Sequence, residues 1–201
     1  MQPLRLFCIA LCCLFLSIVA QTAAGQSSAP VRVPLQSVQA DFVQEKHLKI
    51  LIQPIISTGT FTFQRPQSLR WEYKSPIASI LLMHDGKVAK FVERDGRLVA
   101  DEGMQFGAMQ VVLTEISNWL DGRFTENTMF EVARPAAKSI QLTPKSRELA
   151  GVISSIELTL ADEQGNLEEI TIYEGPDSFT RMRFSNRILN QGVPVTVFTR
   201  P

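Results

Sequence analysis

The chain is 201 residues long, with 20 lysines plus arginines against 20 aspartates plus glutamates and a formal net charge of zero. That balance excludes the basic excess of a nucleic-acid binder, and no charge run marks an interaction tail. A hydrophobic share of 45% is ordinary for a globular protein and suits one core in one domain once any leader is removed.

Residues 1–24 have the form of a cleaved secretory signal peptide. Arg5 supplies the positive start, residues 6–20 are apolar, and Thr22-Ala23-Ala24-Gly25 supplies small residues for cleavage, expected after Ala24 with Gly25 as the neighbouring alternative. The apolar run is short for a membrane span. Cys8, Cys12 and Cys13 are the chain's three cysteines. All lie in this leader, so the exported chain is expected to hold no disulfide, thiol nucleophile or cysteine metal site. Leu11 and Cys12 precede the candidate acylation cysteines, where a lipoprotein needs a small residue, so the product is expected to be free of a lipid anchor. Residues 25–37 read as a flexible linker and short amino-terminal segment containing Ser, Pro30 and Pro34.

From 38 onward the pattern is that of strands. Val38, Ala40 and Phe42 alternate with Gln39 and Asp41 and predict the first strand. Residues 46–56 are more apolar and contain Pro54. They read either as the second half of a hairpin or as a loop resting on the mouth of a cavity, and their exposed members would form a sticky patch. In STGTFTFQRP, residues 57–66, Gly59, Phe61 and Phe63 share one parity and Thr60, Thr62 and Gln64 the other. Pro66 ends that strand, because it cannot donate to a ladder. Leu69, Trp71 and Tyr73 then alternate with Arg70, Glu72 and Lys74, which predicts an antiparallel hairpin with an aromatic face and a charged face. Arg65 has the parity of the two Phe, and periodicity alone places it at a solvated strand end. Residues 77–83 form a continuous apolar run of strand length. The Asp85-Gly86 and Asp95-Gly96 turns join the next strands, 88–93 and 98–100, into a meander.

Residues 108–120 carry the chain's best helical pattern, with Val112, Leu113, Ile116, Trp119 and Leu120 on one stripe and Asp121-Gly122 as the stop. Such a stripe fits a helix that packs on the core and equally a lid over the concave side of a sheet. Further strands are predicted over 130–132, 139–143, 156–160, 170–174, around Met182 and Phe184, and over 193–199. A search for chemistry is thin. His47 and His84 have no ligand partner at metal spacing, and Ser79, His84 and Asp85 lack a nucleophile elbow. No phosphate-binding or dinucleotide motif occurs. The chain is not expected to be an enzyme or to use a cofactor or metal.

The ordered set Gly59, Arg65-Pro66, Leu69, Trp71, Pro76 and Asp85-Gly86 in GTFTFQRPQSLRWEYKSPIASILLMHDGK resembles the signature of the LolA family, periplasmic carriers of outer-membrane lipoproteins. Phe42-x-Gln44, Leu142-x-Pro144-Lys145 and the run ISSIELTLADEQGNLEEITIYEGPDSFTRMRFSN add to it, so the resemblance covers most of the chain after Val38. It implies a mainly β fold with a few helices over 38–201: a curved antiparallel sheet forming an incomplete, half β-barrel, with a helical lid over a hydrophobic concave face. The implied lipid-binding cavity comprises Phe42, Phe61, Phe63, Leu69, Trp71, Tyr73, Ile80 and Leu82 on the sheet and Val112, Leu113, Ile116, Trp119 and Leu120 on the lid, with Arg65 as the lid latch. The implied role is a monomeric periplasmic shuttle for acylated lipoproteins, working with an inner-membrane ABC-type releasing complex and an outer-membrane acceptor. Leu69 stands where many relatives carry Phe, and the two prolines leave little room for the family's helix before the first strand. The first bears on the shape of the cavity and the second on part of the lid, while the spacing Gln53-Pro54-Ile55-Ile56-Ser57-Thr58-Gly59 before the strand resembles a divergent branch that would carry another lipid or lipid-like product. A periplasmic sensor of lipids or lipoproteins, or a small enzyme on the same fold, are the rivals from other classes.

Overall fold

The predicted alternation becomes one antiparallel sheet. The computed structural model describes residues 35–101, 115, 116, 118, 119, 127–161 and 166–201. The leader, the linker up to residue 34, and Val112, Leu113 and Leu120 lie outside the described residues. The strands are β1 (Ser37–His47), β2 (Ile55–Gln64), β3 (Ser68–Ser75), β4 (Ser79–His84), β5 (Lys87–Arg94), β6 (Arg97–Ala100), β7 (Phe130–Ala136), β8 (Ser139–Pro144), β9 (Ser155–Leu160), β10 (Leu167–Gly175) and β11 (Ser178–Leu189). They order as β6-β5-β4-β3-β2-β1-β11-β10-β9-β8-β7, so the long central strand β1 joins two meanders and the sheet ends at β6 and β7 without closing. This is the expected half-barrel.

Sequence explains the turns between strands. Asp85 and Gly86, and Asp95 and Gly96, all have positive φ, at 49°, 71°, 52° and 73°. Asp and Gly tolerate that region, and the two-residue turns it makes match the twist of the strands they join. Residues 48–54 form the loop between β1 and β2, which settles the two alternatives for that stretch in favour of a connection with β2 starting at Ile55.

Register decides which side chains share a face. Phe42 lies opposite Gly59, Ala40 opposite Phe61 and Val38 opposite Phe63. Phe61 then faces Trp71, and Trp71 faces Leu81. Across β1 the other way, Phe42 meets Phe184, Met182 meets Ile170, Ile170 meets Leu158, and Leu158 meets Ile140. One apolar face therefore runs across β4 to β8, and its members form a single buried cluster. The opposite face carries an ionic lattice on β1, β10 and β11. Arg183 donates to Glu45 at 2.8 Å and to Glu169 at 2.9 Å. Glu45 is held below the ordinary carboxylate range, chiefly by its hydrogen bond with His47 and further by Arg183 and Arg181.

The carboxyl terminus departs from expectation. Residues 193–199 alternate like a strand, yet the segment runs irregularly and ends in a single helical turn, Thr196–Thr199. Pro194 cannot donate to a ladder, and both sides of β1 are already taken by β2 and β11. The segment instead covers the outer face near β3 and β4. Phe198 is buried there, and Arg70 donates to the Arg200 carbonyl at 2.7 Å and the Val197 carbonyl at 3.3 Å. Arg70→Ala should cost about 1–3 kcal/mol and free the last turn. Urea unfolding measures the first effect. Faster proteolytic trimming of the carboxyl terminus measures the second.

Candidate functional site

The site is built from the inner apolar face and what lies on it. Phe42, Phe61, Phe63, Leu69 and Trp71 are all almost fully buried. Their rings meet edge to face, Phe42 with Trp71 at 5.5 Å, Phe61 with Trp71 at 5.2 Å and Phe61 with Phe184 at 5.9 Å between centroids. Edge-to-face contacts of this kind add modestly to what burial alone supplies. Tyr73 packs against Phe42 at 5.1 Å and donates its hydroxyl to Gln44 Oε1 at 2.7 Å. Burial pushes the pKa of this phenol upward.

Glu115, Ile116, Asn118 and Trp119 are helical, as the periodicity predicts. Ile116 and Trp119 belong to the same buried cluster as the sheet residues. The helical residues are tied to the start of β7 by polar contacts. Asn127 donates its amide to the buried Glu115 carboxylate at 2.5 Å and accepts from the backbone N–H groups of Met129 and Phe130. Between Ile116 and the sheet there is a gap of about 20 Å³ lined by Val38, Phe61, Leu167, Phe184 and Arg187. A space of that order admits about one water molecule. An acyl chain is many times larger than this gap.

The indole N–H of Trp119 is buried in this apolar layer and meets no acceptor among the described residues. That of Trp71 is also buried, and its polar neighbour is the Tyr73 hydroxyl, whose pKa it draws down against the upward push of burial. A buried donor left unpaired costs about 1–3 kcal/mol.

Ile80 and Leu82 are corrections. Both are buried, but they lie opposite Glu72 and Arg70, and so on the outer face. Leu81 and Met83 take the inner positions, opposite Trp71 and Leu69. The apolar run in β4 has no alternation to read, because both of its faces are covered. On the outside, Leu82, Ala89, Phe91 and Phe198 floor a hollow of about 280 Å³ rimmed by His84, Asp85, Lys87 and Thr199. Ser79 and His84 sit at opposite ends of β4, about 17 Å apart at strand rise, so the Ser79, His84, Asp85 grouping is not assembled. His84 instead shares a hydrogen bond of 2.8 Å with Ser68 Oγ.

The guanidinium of Arg65 donates from Nε to the Leu35 carbonyl at 2.6 Å, and the Arg65 backbone N–H donates to the Gln36 carbonyl at 2.9 Å. Both described bonds fasten the β2–β3 turn to the chain entering β1. The residues that sequence reasoning left off the inner face are chiefly those of β8 to β11: Ile140, Ile156, Ile170, Met182 and Phe184. Their period-two alternation was the available signal.

A family model described as "Outer membrane lipoprotein carrier protein LolA" matches residues 34–201. A protein named outer-membrane lipoprotein carrier protein from Dechloromonas aromatica is 24% identical over 196 residues, covering 94% of this chain and 88% of that protein. One of the same name from Cupriavidus pinatubonensis is 26% identical over 144 residues, covering 71% of this chain and 65% of that protein's length. Among solved structures, a LolA superfamily protein from Nitrosomonas europaea superposes with a TM-score of 0.41 at 10% identity, covering 85% of this chain and 93% of that one. A DUF1329 family protein from Desulfovibrio piger gives 0.46 at 10% identity, covering 82% and 90%.

Proposed function

The chain belongs to the LolA family of outer membrane lipoprotein carrier proteins, and from that premise we propose that its inner sheet face takes the acyl chains of a lipidated cargo and carries them across the periplasm. The observation that carries this reading is the buried indole donor of Trp119, unmet among the described residues, inside an otherwise apolar layer. A permanent core pairs such groups. A layer that opens tolerates them, because the closed form is then only weakly favoured, and the ester carbonyls of an acylated cargo would satisfy them. Each buried methylene contributes about 0.8 kcal/mol, so one long acyl chain supplies on the order of ten kcal/mol toward displacing Ile116 and Trp119.

On this reading the sheet half of the cavity is Phe42, Phe61, Phe63, Leu69, Trp71 and Tyr73. The helical half includes Ile116 and Trp119, with Val112, Leu113 and Leu120 assigned by periodicity alone. An inner-membrane ABC-type complex would load the carrier, an outer-membrane acceptor would unload it, and the protein would act as a monomer exported by its signal peptide. Arg65 would serve as the latch of the helical lid by donating to lid backbone carbonyls, beside the bond that its Nε makes with the Leu35 carbonyl. Arg65→Leu should leave the protein folded, with a melting temperature within a few degrees of the parent, and should slow transfer of cargo to acceptor membranes several-fold. If the variant loses its cooperative melt, Arg65 is a structural residue and the latch is wrong.

The test of the reading is mass spectrometry of whatever copurifies with the protein from its native periplasm. Acylated protein supports the lipoprotein carrier. Free glycerolipid or another lipid-like product moves the cargo to the second reading, a divergent member of the family. Cargo-free protein that also fails to take up acylated protein in vitro counts against both.

A further inference from the structure

The loop between β1 and β2 is unlike the rest of the described surface. Ile50 is 86% exposed and Ile52 is fully so at 103%, with Leu51, Ile55 and Ile56 also exposed. Single exposed apolar residues need no explanation, but a run of them at one tip does. Neighbouring residues 50, 51 and 52 necessarily point in different directions, so the tip is apolar around its circumference. A groove on a protein partner reads one stripe or one strand face. A tip that is apolar all round suits a surrounding solvent, which is the interior edge of a bilayer.

Charge agrees. From His47 to Ile56 the chain has no carboxylate. Lys46 and Lys49 stand at the base of the loop, Lys49 largely exposed with a solvated partner in Asp177 at 3.2 Å, and Lys46 paired with Glu174. The exposed Lys49–Asp177 pair is weak and readily exchanged, and a lysine stem reaches past an apolar segment to bring its ammonium group to headgroup level. The backbone is also partly prepared, since the Leu51 N–H donates to the Leu48 carbonyl at 2.9 Å within the loop. Internal pairing lowers the cost of placing a peptide segment among lipid.

We propose that the β1–β2 loop is a membrane-contact element that seats Ile50, Leu51 and Ile52 in the headgroup–acyl boundary of an anionic bilayer. This goes beyond the carrier reading, because it assigns the protein its own lipid-surface contact at a place separate from the inner face. Loading or unloading cargo would then take place on a protein already docked.

Vesicle sedimentation tests it. Purified full-length mature protein is mixed with protein-free vesicles of phosphatidylethanolamine and phosphatidylglycerol. The parent protein should sediment with them, and the double variant Ile50→Asp with Ile52→Asp should bind more weakly by about tenfold or more. Val195→Asp changes an exposed apolar residue near the opposite end of β2, where the Val193 N–H meets Gln64, and should bind as the parent does. A polarity-sensitive dye on Ile50→Cys should shift to shorter wavelength when vesicles are added. The proposal is overturned if the parent ignores protein-free vesicles, if the double variant binds equally well, or if the dye does not respond. Binding only to vesicles that contain inner-membrane proteins would also overturn it, in favour of a protein receptor. Uptake of acyl cargo on the inner face is scored separately in solution, so either reading can fail without the other.

Discussion

Gly59→Ala is expected to lose about 3 kcal/mol or more of stability, which at a urea slope of about 2 kcal/mol per molar lowers the unfolding midpoint by more than about 1 M. A methyl group on Gly59 would stand 1.9 Å from the Glu72 carbonyl oxygen and 2.8 Å from Phe42 Cζ. The first contact is with backbone, which cannot rotate aside. Strands β2 and β3 must separate, and the ring of Phe42, which fills the space over Gly59, must withdraw from Trp71 and Tyr73. The matched control is Gly175→Ala, where an added methyl meets nothing within 4 Å; it should stay within about 0.5 kcal/mol of the parent. Equal midpoints for Gly59→Ala and the parent would show that the close approach of β2 and β3 is wrong.

Trp71→Ala should cost about 3–5 kcal/mol, the range for emptying a fully buried aromatic site. Trp71 is 1% exposed and touches the rings of Phe42, Phe61 and Phe184. Trp71→Phe keeps most of that packing. It gives up at most a long, weak approach of the indole N–H to the Tyr73 hydroxyl, and should therefore cost well under half as much. The pair carries a second readout. If Trp71→Phe proves as damaging as Trp71→Ala, the indole nitrogen is firmly paired in the closed form. In cargo uptake the order should change, with Trp71→Phe showing a measurable loss of affinity despite its near-normal stability.

How far these contacts can be read from the chain depends on whether each strand has one covered face or two. The strands β1, β2 and β3 each alternate, and the inner assignment of Phe42, Phe61, Phe63, Leu69 and Trp71 follows from parity alone. In β4 both parities are apolar, because Leu81 joins the inner buried cluster and the carboxyl-terminal segment covers part of the other face. No period remains to place Ile80 and Leu82, and only pairing with Glu72 and Arg70 does so. The carboxyl-terminal turn was illegible for a related reason. Its alternation imitates a strand, but a strand needs an unoccupied edge, and edge occupancy is a property of the whole sheet. The importance of Gly59 to Phe42 depends on a cross-strand register between residues 17 positions apart, which local pattern cannot supply. The helical stripe through Ile116 and Trp119 was readable as a stripe, and its burial on the inner face is a tertiary fact. The exposure of Ile50 and Ile52 was half readable: the apolar run was plain, and its uncovered state became known only from the fold.

Photocrosslinking in the periplasm asks whether acyl chains enter between the helical residues and the inner face. A photoreactive residue is placed at Ile116 or Phe184, which border the inner gap, and in parallel at Phe91, on the floor of the outer hollow. Acylated molecules should form adducts at the two inner positions and none at the outer one. Adducts confined to Phe91, or an inner face that never captures lipid while the protein is carrying cargo, would contradict entry at the inner face.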